Sequence, residues 1–168
     1  MTARKVEPDF NEENGFLLLR LSKDDVGLGD EPVTYLGKTF SAKDEVHITI
    51  FGSRLGEELA TAMDADPSLH PRLQATIAQT AWHYELHDEW YHVADGEEET
   101  IIRMAGVPPL ADFYRQIADL AGVVIPARPT HITLYTYNNH EGIGIATEEE
   151  FRERVVGELS PRYLEEEE

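Results

Sequence analysis

Two tetrapeptides of one pattern, His47-Ile48-Thr49-Ile50 and His131-Ile132-Thr133-Leu134, lie 84 positions apart, each inside an apolar run. Runs rich in Ile and Thr favour strands, and in a strand residues two apart share a face. Each copy then points an imidazole and a hydroxyl one way and an Ile/Leu pair into the opposite, buried layer. A chain built around them must supply two strands with one wet face and one dry one. A single copy reads as an ordinary core strand with a polar outer side; its recurrence is what points to chemistry.

The rest of the composition narrows that chemistry. With 168 residues the chain reads as one domain with room for a sizeable core. It has no cysteine, which removes disulfides and thiolate metal sites and is compatible with a reducing cytoplasm. No stretch approaches the ~18 unbroken apolar residues of a membrane span, and the opening Met-Thr-Ala-Arg-Lys-Val-Glu is too polar for a secretory signal. A soluble cytoplasmic protein with no membrane partner is the expectation. The net charge is −19, with only 14 Lys and Arg against 33 Asp and Glu. Holding a long polyanion needs clustered cations, so long nucleic acid is not expected, and a small nucleotide or short RNA end fits better.

Hydrophobic periodicity and turn residues give the order of elements. Residues 1–14 read as a flexible N-terminal segment, 15–160 as a single domain and 161–168 as an acidic tail. Strands are predicted over 15–21, 33–40, the first motif, 82–86 with an extension toward His92, 99–104, and 130–137 around the second motif. The segment 143–146 is expected to pair back as a further strand. Ser53 is expected to cap a helix carrying Leu55, Leu59 and Met63. A second helix runs from Pro67-Ser68 to about Gln79, and a third from Pro108-Pro109 to Gly122. Thr147 with Glu150 reads as a capping box for the last helix.

At the two motifs the chain resembles the 2H phosphoesterase superfamily, named for a pair of His-hydrophobic-Thr/Ser-hydrophobic motifs. The first copy continues as Phe51-Gly52, similar to the family's usual ending, and the resemblance runs from about residue 16 to about 147. It implies an α+β fold of two lobes, one motif from each half, with antiparallel sheets forming a central cleft and helices packed outside. It also implies metal-independent phosphodiester chemistry with no cofactor, often on a 2′,3′-cyclic phosphate at an RNA end or on a nucleotide. Carried onto this sequence, it makes His47 and His131 the catalytic pair and Thr49 and Thr133 phosphate ligands. In some relatives a basic residue follows the second motif; here Tyr135-Thr136-Tyr137 follow, so neutralising charge must come from elsewhere. Arg54, Arg103 and Arg128 are the arginines nearest the motif strands or their neighbours. Strict alternation would put Tyr135 on the face of His131 and Thr133, where it could stack on a base or bind phosphate.

Imidazole suits both halves of a proton relay because its pKa of roughly 6.5 lies near working pH. One His can take a proton from water while the other gives one to a departing ribose oxygen, and Thr hydroxyls can donate to non-bridging phosphate oxygens. Which His is acid and which is base is not set by the sequence. Two other classes fit the motifs: a nucleotide or cyclic-dinucleotide sensor or sponge using His and Thr as ligands only, and an RNA-end ligase. The cluster His83, His87 and His92 also raises a metal site, but Trp82, Tyr84 and Leu86 alternate as in a strand, which makes exposed strand or hairpin histidines the simpler reading.

Overall fold

The computed structural model describes residues 3–166, with side chains through residue 164. In chain order the elements are β1 (Arg4–Lys5), β2 (Pro8–Phe10), β3 (Leu17–Leu21), β4 (Val33–Tyr35), β5 (Lys38–Ala42), β6 (Val46–Phe51), α1 (Ser53–Ala65) and α2 (Leu69–Gln79). There follow β7 (His83–Asp95), β8 (Glu98–Gly106), α3 (Leu110–Ala121), β9 (His131–Tyr137), α4 (Glu148–Arg154), β10 (Val155–Leu159), a short 3-10 turn and β11 (Glu165–Glu166). The pairs β1–β7, β2–β3, β4–β5, β4–β11, β5–β9, β6–β9, β7–β10 and β8–β9 are antiparallel, and the chain is α+β. Among the described residues no helix is long and apolar enough to cross a membrane.

The chain divides into two compact units, each drawn from three stretches of sequence. The first comprises 1–20, 49–85 and 107–127, the second 21–48, 86–106 and 128–168. In the first unit, α1, α2 and α3 bury Leu59, Leu73, Ile77, Phe113 and Ile117 with Leu17, Leu19, Ile50 and Phe51. Phe51 stacks on Phe113 at 5.6 Å and the Trp82 ring meets Phe113 edge-on at 4.7 Å. Such pairs add to the burial of large apolar side chains, the main favourable contribution to folding. Gly15, at φ +76°, lies so close to Gly56 of α1 that a Cβ at either would enter the other's backbone. The last turn of α3 ends on Gly122 in the left-handed conformation, as its position after the apolar stripe predicts.

In the second unit, β9 pairs with β5, β6 and β8. Its ladder with β8 runs from Glu99↔Tyr137 to Met104↔His131 and slips once: Ile101 opposes Tyr135 while Ile102 opposes Thr133. Leu134 is the extra residue, a β-bulge. Val93, Ile102, Ile143 and Ile145 form a buried cluster, with Tyr91, Met104, Phe151 and Val155 packed around it.

Several expectations change here. Residues 4–10, expected to be loose, contain β1 paired with His83 and Tyr84 of β7 and β2 paired with β3. The predicted strand 33–40 is a hairpin, because Leu36 and Gly37 both take positive φ (50° and 77°) and turn the chain. Gly52, not Ser53, is the N-cap of α1, and Ser53 is already helical. Residues 143–146 form no strand; Ile143 and Ile145 instead fill the apolar cluster. Helix α4 starts as its capping pair predicts, with Thr147 Oγ1 accepting from Glu150 N at 3.1 Å. It gives way at once to β10, an element the sequence reading did not contain. In the expected acidic tail, Glu165 and Glu166 pair with Thr34 and Val33, while 167–168 lie outside the described residues.

Candidate active site

Strands β6 and β9 carry the motifs as alternation requires. Along β6, Val46, Ile48 and Ile50 are buried while His47 and Thr49 keep partial access; along β9, Ile132 and Leu134 are buried while His131 and Thr133 keep it. The strands run antiparallel with Ile48 opposite Ile132. Opposed residues in such a ladder share a face, so this register sets His47 beside Thr133. His131, two residues along from Thr133, shares that face, and the charge of His47 is felt at the His131 ring. Within the second unit the structure thus brings together His47, His131 and Thr133. Thr49 follows His47 on the same face of β6, but its position past Ile48 assigns it to the first unit.

His131 is held from behind. Thr130 Oγ1 donates to Ala105 O at 2.5 Å and Ala105 N donates to Thr130 O at 3.1 Å, pinning the strand's start against β8. The Pro129 carbonyl lies 3.3 Å from His131 Nδ1. A carbonyl can only accept, so Nδ1 carries the hydrogen and Nε2 keeps the lone pair. Dense surroundings desolvate the ring, and the nearby Arg128 and His47 charges add to that, lowering the His131 pKa from 6.5 to about 4 against the opposing effect of the Pro129 contact. At neutral pH this imidazole is an uncharged acceptor.

Of the three arginines weighed, Arg128 is the one whose charge reaches His131. Arg103 is engaged with His87 O and Asp88 and lies over the Trp90 ring. Arg54 belongs to the first unit. The loop after β9 also approaches: a Cβ at Gly142, φ +107°, would come 3.2 Å from Thr133 Oγ1. A side chain there would crowd that hydroxyl, and the positive φ itself favours glycine.

Tyr135 does not join them. Ile101 and Ile102 are consecutive and point to opposite faces, so their partners Tyr135 and Thr133 do too. The bulge at Leu134 turns Tyr135 away from the face of His131, and its side chain is 9% exposed. Had alternation continued unbroken, the tyrosine would have lain on the motif face; a bulge leaves no mark in composition.

The histidines of 83–92 lie along β7, where positions four apart are separated by roughly 13 Å. Among the described residues no group of three His, Cys, Asp or Glu side chains is disposed to hold a metal. His92 departs from the expectation of exposure: it is buried at 6% and its Nε2 donates to Glu99 Oε1 at 2.7 Å. Lys38 bridges to the other carboxylate oxygen, and the Tyr35 and Phe40 rings meet His92 edge-on. Burial pushes the Glu99 carboxyl up, but the hydrogen bonds from Lys38 and His92 outweigh it and hold the group below the usual carboxylate range.

No family model, curated protein or solved structure matches this chain. The likeness to 2H phosphoesterases therefore rests on the two sequence motifs alone. Both motif histidines fall in one compact unit, whereas the resemblance implied one motif from each lobe.

Proposed function

We propose that this protein is a metal-independent phosphodiesterase that opens a 2′,3′-cyclic phosphate, or a related phosphodiester on a small nucleotide or RNA end, by two-histidine acid–base catalysis. The observation that carries the reading is the pairing of the motif strands through Ile48 and Ile132, which sets two imidazoles and the Thr133 hydroxyl on one face. A phosphate ligand alone has no need of two proton-transfer groups, which favours an enzyme over a sensor.

The asymmetry of the site supports one division of roles. His131, neutral with its Nε2 lone pair available as an acceptor, takes the proton from an attacking water. His47 takes the acid role, giving a proton to the departing ribose oxygen. Thr133 donates to a non-bridging oxygen, and Arg128 offsets the phosphate charge as it builds. Neither histidine forms a covalent bond to phosphorus, and the reaction needs no Lewis acid.

The test is hydrolysis of the four 2′,3′-cyclic nucleotides by wild type, His47→Ala and His131→Ala, with and without EDTA. Turnover that survives EDTA and falls on the order of 10²–10⁴-fold in each variant supports the reading. Near-normal turnover by His131→Ala, or complete loss with EDTA, rejects it.

A further inference from the structure

Against Arg128, Pro129 and Thr130, the residues leading into His131, the second unit contains a cavity of about 360 Å³, at the small end of the range for ligand pockets. That volume suits one mononucleotide rather than a length of RNA, in keeping with the net charge of −19. Two aromatic rings line it, Tyr91 and Phe151, 5.2 Å apart and nearly perpendicular. Met104, the residue paired with His131 across the β8–β9 ladder, adds a third apolar surface. Flat apolar walls of this kind take a nucleobase by stacking.

The charged groups of the lining are unlike one another. Arg128, three residues before His131, brings a cation to the side from which the imidazole strand begins. Glu89 and Glu148 bring carboxylates. Tyr91 OH donates to Glu89 Oε2 at 3.1 Å, which orients that carboxylate, and Glu148 is the first helical residue after the Thr147 cap. Ionised carboxylates only accept hydrogen bonds. They favour a base edge rich in N–H groups and disfavour one rich in carbonyls. Guanine offers N1–H beside its 2-amino group, two parallel donors that match one carboxylate. Adenine and cytosine offer an amino group beside a bare ring nitrogen, and uracil a single N–H between two carbonyls.

We infer that this cavity is a nucleobase subsite selecting guanine, with Glu89 and Glu148 reading the base, one of the perpendicular Tyr91 and Phe151 rings stacking it while the other meets its edge, and Arg128 on its phosphate. The inference deepens the phosphodiesterase reading by naming its substrate class as guanosine cyclic phosphates, and for the cleavage step it rests on that reading. Base selection itself does not require turnover, and this separates the two tests.

Calorimetric titration of the intact protein with guanosine 3′-monophosphate and uridine 3′-monophosphate measures the selection. The guanine nucleotide is expected to bind at least about tenfold more tightly, the discrimination that one bidentate base contact provides. In the double variant Glu89→Gln/Glu148→Gln each amide supplies a donor that uracil can use, so the preference should collapse to within about threefold. An unchanged circular dichroism spectrum and melting midpoint check that this variant is folded. Equal affinity for the two nucleotides, no binding of either, or a preference that survives in the double variant overturns the subsite. If guanine preference holds but no cyclic nucleotide is hydrolysed, the subsite stands and the phosphodiesterase reading falls. If all four cyclic nucleotides are hydrolysed with one kcat/KM, the reverse is true.

Discussion

Two histidines of the second unit lie in crowded surroundings, and their neighbours differ in sign. His92 faces a carboxylate: Glu99 accepts from its ring, Lys38 completes the bridge, and aromatic rings close around it. His131 faces a backbone carbonyl, an arginine and another histidine, and among the described residues none of the groups acting on its titration is acidic. The first arrangement satisfies every charge internally and serves packing. The second sets an uncharged imidazole acceptor beside the positive charge of Arg128. Sequence position alone would not separate them; the sign of the neighbouring groups does.

The comparison breaks most visibly at the motif histidines. His131→Ala and His47→Ala should each lower kcat on a cyclic nucleotide by on the order of 10²–10⁴-fold while leaving the melting midpoint at pH 7 nearly unchanged. Glu99→Gln should do the opposite, leaving kcat alone and costing about 1.5–3 kcal/mol in urea unfolding, because it removes two charge-assisted hydrogen bonds from a buried site. A variant at Glu99 that abolished turnover at full stability would show that the two clusters are not separate in function. Arg128→Ala should reduce kcat/KM by roughly ten- to a hundredfold, read as lost phosphate charge stabilisation. The same change should move the acid limb of the pH profile of kcat/KM upward from about 4, since the Arg128 charge helps to keep His131 unprotonated.

Acid stability sharpens the contrast further. Between about 6.5 and about 4 the unfolded chain protonates His131 and the folded one does not, so folding stability declines as pH drops through that window. Glu99 is ionised in the fold below its ordinary 4.5, so its contribution is present above that value and is lost only as pH falls through its lower, folded one. Thermal melts at pH 7, 5.5 and 3.5 should show His131→Asn flattening the upper decline and Glu99→Gln the lower. A single common decline unaffected by either substitution would argue against both assignments.

What was legible in the sequence followed from strong local signals. Period-two alternation placed both motif strands, and the Pro108-Pro109 and Gly122 boundaries placed α3, because a proline pair and a left-handed glycine leave the backbone few options. The parts that were not legible depend on partners distant along the chain. Strands β1 and β2 are short and charged and owe their form to the ladders they join. The turn at Leu36 uses a leucine at positive φ, where Asn or Gly would have announced a hairpin. Ile143 and Ile145 alternate like a strand yet pair with nothing, their burial supplied by Val93 and Ile102. At the site, the His-Thr pairs were readable and Arg128 stood among three candidate arginines, but the choice among the three needed the fold, and Tyr91 and Phe151 reach their cavity from β7 and α4.

The single surplus residue at Leu134 has a consequence for how this scaffold can be altered. Upstream of it β9 presents reactive groups to one side; downstream its tyrosines are handed to the other, where Tyr137 lies against Phe40 and under Lys38. Excising that one position would make Tyr135 the direct neighbour of Thr133 and restore an unbroken ladder with β8 while each side chain kept its present face, so a one-residue deletion should remove the local kink and leave the imidazole side intact.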